Sequence, residues 1–211
     1  MKEIRLRRGR DASLRRLHPW VFSGALADPQ GEPPAPGETV RVMDAGGSAL
    51  ALACWSPQSR IRARVWSFNP SDTIDAAFFR RRLEEAIVRR GDRARVPQGA
   101  CRLVHGESDA LPGLIVDRYD RVLVCQYLSS GAEAWKEVIA DELMALLPVD
   151  CLYERSDAGI RELEGLPAVK GVMRGTLPTD ELLIVEEGAR FTVDVVEGHK
   201  TGFYLDQTAN R

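Results

Sequence analysis

The chain has 211 residues, 44% of them hydrophobic and 28% charged, with a formal net charge of −2. That length holds one substantial core or two small ones. No apolar run approaches the roughly 20 residues that a bilayer span requires, and the start, MKEIRLRRGR, lacks a secretory apolar stretch, so a cytoplasmic location is expected. Cys54, Cys101, Cys125 and Cys151 form no CxxC pair and have no histidine at ligand spacing, so neither a metal site nor a disulfide framework is expected.

Charge is unevenly placed along the chain. Residues 1–70 hold 11 Lys or Arg against 6 Asp or Glu. The first sixteen hold Lys2, Arg5, Arg7, Arg8, Arg10, Arg15 and Arg16 against Glu3 and Asp11. Such a cluster is the electrostatic footprint of polyanion binding; a solvated basic face is the other reading. Over the same residues EIRLR, WVFSGAL, TVRVMD, ALALACW and IRARVW read as short strands, separated by turn-rich DPQGEPPAPGE and DAGGS. This is the pattern of a small barrel or sandwich. Alternation in RIRARVW sets Arg60, Arg62 and Arg64 on one face and Ile61, Ala63 and Val65 on the other, so three guanidinium groups are expected on the outside of a strand.

A helix follows in NPSDTIDAAFFRRRLEEAIVRRGDR, with Ser71 or Asp72 as its cap and Phe79, Leu83, Ala86 and Ile87 at helical spacing. From about Gly99 the chain reads as a strand, a loop and two apolar strands joined by the turn DRYD. GAEAWKEVIADELMALLP is an amphipathic helix with Trp135, Val138, Ile139, Leu143, Leu146 and Leu147 on one stripe, ended by Pro148. A strand in VDCLYER, a short helical piece around AGIRELEG and two strands about the turn at Glu187–Ala189 complete an α+β pattern.

Two stretches concentrate chemistry. The loop HGESDALPGL holds His105, Glu107, Ser108 and Asp109, suited to acid and base work but equally to a hydrogen-bonded turn. The tail GHKTGFYLDQTANR gathers Lys200, Phe203, Tyr204, Asp206, Gln207 and Arg211, which could wall a pocket or cap a helix. GxGxxG, GxxxxGK followed by Ser or Thr, and GxSxG are all absent from the sequence.

GRDASLRRLHPWVFSGAL and GHKTGFYLDQTANR resemble the bacterial ribosomal RNA large subunit methyltransferase I family. SPQSRIRARVWSF, HGESDALPGLIVDRYD, LSSGAEAW and YERSDAGIRELEG resemble it in the same order. The family uses S-adenosyl-L-methionine to methylate C5 of a cytosine in 23S ribosomal RNA. The resemblance implies a PUA RNA-binding pseudobarrel over 1–72, a central α+β domain over 73–180 and, over 181–211, the entry hairpin of a Rossmann-type methyltransferase domain. With such a domain in front, the basic cluster and the arginine face of RIRARVW make Arg5, Arg7, Arg8, Arg10, Arg15, Arg16, Arg60, Arg62 and Arg64 the candidate RNA contacts. The resemblance also implies that Lys200, Phe203, Tyr204, Asp206 and Gln207 wall the cofactor and target-base pocket.

The glycine-rich cofactor loop and the nucleophilic cysteine, whose thiolate activates cytosine by adding at C6, are expected beyond Arg211. The 211 residues alone are therefore expected to bind RNA and not to methylate it. The tail departs from the family in reading Gln207 then Thr208 where Gln then Arg is common. A self-contained, non-enzymatic RNA-binding or ribosome-assembly module is the alternative, and homodimerisation is left open.

Overall fold

The computed structural model describes residues 1–29 and 31–207. Strands β1 (Glu3–Arg5), β2 (Trp20–Phe22), β3 (Thr39–Met43), β4 (Ala49–Trp55) and β5 (Ile61–Ser67) form one sheet in the order β1-β3-β4-β5-β2, with the short helix α1 (Ala12–Arg15) between β1 and β2. The sheet curls until its edges meet. Leu6 bridges Leu26, the Arg7 amide donates to the Ala25 carbonyl at 2.9 Å, and the Ala27 amide donates to the Arg5 carbonyl at 2.8 Å. Closure satisfies backbone groups that an open edge would leave bare. It encloses an apolar centre of Leu6, Val21, Val40, Val42, Ala53 and Ala63.

The alternation of β4 and β5 serves two cores. Ala53 and Val65 face the curled sheet's interior, while Cys54 and Trp66 belong to the larger core of the following residues. That core begins at α2 (Ala76–Arg90), which buries Phe78, Phe79, Leu83, Ala86 and Ile87. Asp75, not Ser71 or Asp72, caps α2, accepting from the Phe78 amide at 2.9 Å. Asp72 is already held by Ser67 at 2.5 Å and Asn69 at 2.8 Å in the turn after β5, so its carboxylate closes that turn instead.

A second sheet contains β6 (Ala100–His105), β7 (Leu114–Tyr119), β8 (Val122–Tyr127), β9 (Cys151–Ser156) and β10 (Val169–Gly175), in the order β10-β9-β8-β7-β6. Strands β8 and β9 are parallel, joined by α3 (Ser130–Ala134) and α4 (Lys136–Leu146). The expected single helix is broken at Trp135, and Ser129 caps α3 by accepting from the Ala132 amide. Only the last residue of DRYD belongs to the turn between β7 and β8. Asp117 to Tyr119 stay in the strand, and the reversal falls at Asp120, whose φ is 51°.

Strand β10 in VKGVMRG has no counterpart among the expected elements. The hairpin of β11 (Leu183–Glu186) and β12 (Ala189–Thr192) turns through Glu187 and Gly188, both at positive φ as a two-residue hairpin turn requires. It lies on the face of the second sheet opposite α2 and α4. Leu123 and Cys125 of β8 face the helices, while Val122 and Val124 pack with Ile184, Val193 and Val195. Burial on both faces explains the apolar run VLVC, Val122 to Cys125. No helix among the described residues is long and apolar enough to cross a membrane.

Candidate nucleic-acid interface and the adjoining groove

Most of the arginines singled out from the sequence stand on the surface of the curled sheet. Arg5 ends β1, Arg7 to Arg10 form the turn into α1, Arg15 and Arg16 end α1, and Arg60 precedes β5; all are exposed. Arg15 is held by Asp11 at 2.5 Å and Asp44 at 3.0 Å, and Arg7 lies 3.9 Å from the fully exposed Asp28. The Arg62 guanidinium sits 5.8 Å over the Trp55 ring. Arg5, Arg8, Arg10, Arg16 and Arg60 have no side-chain hydrogen bond or ion pair among the described residues, so their charges face solvent unneutralised.

Arg64 is a correction. The alternation that set it on the outer face holds, with Ala63 and Val65 in the sheet's core, but another unit covers that face at Arg64. Arg64 is 7% exposed and donates to Glu164 at 2.8 Å, with Glu107 3.9 Å away. Glu164 also accepts from the Ser130 amide and hydroxyl. Burial alone would raise the Glu164 carboxyl, but Arg64 and hydrogen bonds from Ser59, Ser56 and the Ser130 amide outweigh it and hold the group below the ordinary carboxylate range. The pair ties the curled sheet to the second unit. Gly131 completes the contact, since a Cβ there would stand 2.3 Å from the Cys54 sulfur.

The loop carrying His105, Glu107, Ser108 and Asp109 is a 3-10 turn over Gly106–Asp109, and both carboxylates in it are engaged structurally. Glu107 accepts from the Trp20 indole at 2.7 Å. Asp109, 3% exposed, accepts from Arg89, Arg90 and the His105 amide at 2.5 to 3.2 Å. Burial pushes Asp109 up, yet these donors together prevail and its pKa is lowered. The loop thus joins β2 on one side to the end of α2 on the other.

The tail is pinned on the second sheet by a residue the sequence reading passed over. Thr201, fully buried, donates to Asp117 at 2.6 Å, and Asp117 accepts two bonds from Arg102 at 2.8 and 2.9 Å. The Tyr119 hydroxyl lies 2.8 Å from the Thr201 oxygen. Arg155 donates to the carbonyls of Val195 and Gly198 at 3.0 and 3.2 Å. The signal available was a threonine amid charged and aromatic neighbours and an aspartate inside the apolar run LIVDRY.

Beside this anchor lies a groove of about 900 Å³ whose lining includes Arg89, Arg90, Arg93, Arg102, His105 and Lys200. Asp206 reaches it too, paired with Lys200 at 3.1 Å, while the Lys200 ammonium stands 4.6 Å over the Tyr204 ring. Phe203 packs on Phe191 at 5.3 Å. Gln207 is half-buried at the end of the described residues, and Arg211 lies outside them. The structure therefore brings Lys200 and Asp206 into one groove with arginines of α2, and commits Phe203 to packing beneath it.

These residues do not by themselves fit S-adenosyl-L-methionine. The Asp206 carboxylate is taken by Lys200, and several guanidinium groups in the same groove would repel a sulfonium. None of the cysteines is poised as a nucleophilic thiolate. Burial pushes the Cys54 and Cys151 thiols up to about 11 and raises those of Cys101 and Cys125 as well. Among the described residues, no group of three or more His, Cys, Asp or Glu could hold a metal ion.

The small curled sheet with exposed arginines, docked on an α+β unit, is a PUA-like domain: residues 4–68 match the PUA-like domain family. The whole chain is similar to proteins named Ribosomal RNA large subunit methyltransferase I. It is 48% identical to that of Shewanella frigidimarina over 210 residues, 99% of this chain and 53% of the relative. It is also 48% identical to that of Pseudoalteromonas translucida over 211 residues, 99% and 52%, and to that of Cronobacter sakazakii over 207, 98% and 52%.

Two solved structures share the fold at 19% identity and a TM-score of 0.80. One is a candidate SAM-dependent methyltransferase from Streptococcus mutans, the other a candidate methyltransferase complexed with SAH, and this chain covers 53% and 52% of them. The similarity runs the length of this chain, and the chain spans about half the length of the curated relatives it matches.

Proposed function

We propose that these residues are the RNA-holding part of a cytoplasmic S-adenosyl-L-methionine-dependent 23S ribosomal RNA cytosine-C5 methyltransferase, and that the 211-residue chain binds RNA without methylating it. The observation that carries this is the set of exposed, unneutralised arginines, Arg5, Arg8, Arg10, Arg16 and Arg60, on the PUA-like sheet. Phosphate contacts from such groups supply most sequence-independent affinity. Arg7, Arg15 and Arg62 join them at the margin, each already near an acid or a ring.

We divide the chain into a PUA-type unit over 1–72, a central unit over 73–180 and, over 181–211, the entrance to a Rossmann-type domain. In this reading Lys200, Phe203, Tyr204, Asp206 and Gln207 are one wall of the cofactor and target-base pocket and hold no cofactor by themselves. S-adenosyl-L-methionine supplies the methyl group when the remaining walls are present. The raised thiols of all four cysteines support the absence of turnover, because cytosine C5 transfer needs a thiolate to add at C6.

Titration of the chain with a 23S ribosomal RNA fragment, alongside calorimetry with S-adenosyl-L-methionine, tests the proposal. RNA binding with no heat from the cofactor is expected. Failure to bind RNA overturns the first part, and cofactor binding by these residues overturns the second.

A further inference from the structure

The curled sheet carries an aromatic stripe that no part of the proposed function uses. On β2 and the residue before Pro19, side chains alternate. Val21 is 1% exposed in the sheet's core, while His18, Trp20 and Phe22 lie on the other side. The His18 and Trp20 rings meet edge to face at 5.5 Å, and the Trp20 and Phe22 rings do so at 6.1 Å. The stripe is partly open to solvent: His18 is exposed and Phe22 is 47% exposed.

Its orientation is held from beneath, because the Trp20 indole donates to Glu107 at 2.7 Å and Trp20 pairs across the ladder with Arg64. Two exposed cations near the stripe, Arg16 and Arg60, have no side-chain hydrogen bond or ion pair among the described residues. Arg16 stands two residues before His18. The Arg60 backbone lies beside that of Phe22, since the Ser23 amide donates to the Arg60 carbonyl at 3.0 Å and Phe22 pairs with Ile61, and the long exposed Arg60 side chain extends from that edge.

We infer that this stripe is a stacking platform for an unpaired base of single-stranded RNA, with Arg16 and Arg60 on the flanking phosphates. The inference rests on the RNA-binding reading above and deepens it. Unpaired bases are held by aromatic faces flanked by cations, because every base has a π-face and every linkage a charge. Three rings are small for a protein partner, which needs about 800 Å² on each side. The acid at the stripe, Glu107, accepts from the indole and lies 3.9 Å from the Arg64 guanidinium, which offsets its charge.

The test compares the affinity of the chain for a short oligouridylate with that for the same backbone carrying abasic sites, for wild type, Phe22→Ala, His18→Ala and Phe22→Trp. Stacking on exposed aromatics is sequence-tolerant and, by alanine substitution, changes affinity about tenfold per base. Wild type is expected to prefer the base-bearing strand by about that factor. Phe22→Ala and His18→Ala should lose the preference while keeping the salt dependence and the thermal midpoint, and Phe22→Trp should keep the preference.

Equal affinity of wild type for the two strands overturns the platform and leaves RNA binding standing. So does self-association that disappears in Phe22→Ala with no change in RNA preference, which would make the stripe a protein interface. If wild type binds neither strand, it is the RNA-binding reading that fails.

Discussion

Arg64 and Glu164 decide how firmly the basic sheet is attached. Both are buried, and removing one partner strands the other charge in a poorly solvated site, a loss of about 3 kcal/mol. Glu164→Gln should therefore lower the thermal midpoint by about 6 to 12 °C for a chain of this size, while Arg60→Gln, on the open surface, should leave it unchanged. Calorimetric melting of the two variants checks this.

The same carboxyl gives a pH signature together with Asp109. Each is held below its ordinary range in the folded chain. Their contribution is therefore complete above the unfolded values, about 4, and is lost as pH falls through the lower folded values. Melting temperatures should hold from neutral pH down to about 5 and fall steeply below about 4. Replacing Asp109 by Asn and Glu164 by Gln should flatten that acid limb.

Among the elements, α3 and the tail each rest on one close fit. A methyl group at Gly131 would collide with Cys54 and Trp66, so Gly131→Ala should push α3 off β4 at a cost of about 2 kcal/mol, read in denaturant unfolding. Thr201→Val leaves buried Asp117 short of a hydrogen bond, a loss of about 2 kcal/mol. Because Thr201 holds the tail on the sheet, the variant should be clipped within residues 193–207 by limited proteolysis at a protease level that spares wild type.

The elements also separate what could be read in the sequence from what could not. Strands with clean alternation, such as TVRVMD, and the doubly buried VLVC declare themselves, because their pattern repeats the contacts they make. Strand β10 does not. VKGVMRG carries two glycines and two cations at the sheet edge, where one partner strand supplies the pairing that its composition would not suggest. The α3–α4 break at Trp135 was hidden because its apolar stripe continues across the break. Arg64 was misplaced because alternation assigns faces without revealing which face another unit will cover. The bond from Thr201 to Asp117 spans residues far apart in the chain, beyond any local pattern.

At the scale of the whole molecule, three features are arranged in series: the arginine-bearing curled sheet, the Gly106–Asp109 loop that grips Trp20 on one side and Arg89 and Arg90 on the other, and the groove where Lys200 and Asp206 meet α2. An RNA strand held on the first would have a continuous protein frame leading to the third. The tail, dense with functional groups in the sequence, is also a structural seam, since Thr201 is buried against the central sheet while Lys200 and Tyr204 remain outside.

The central claim, that the exposed arginines of the curled sheet hold RNA, is tested most directly by the affinity of the chain for a single-stranded 23S ribosomal RNA fragment as a function of salt. Each phosphate neutralised on a single strand contributes a slope of about −0.7 in log affinity against log salt, so four contacts weaken binding about fifty-fold between roughly 50 and 200 mM. Wild type is predicted to follow such a slope, and the combined Arg8→Glu, Arg10→Glu, Arg16→Glu and Arg60→Glu variant to bind more weakly with a much shallower one. Undiminished binding by that variant, or wild-type binding indifferent to salt, would contradict the account.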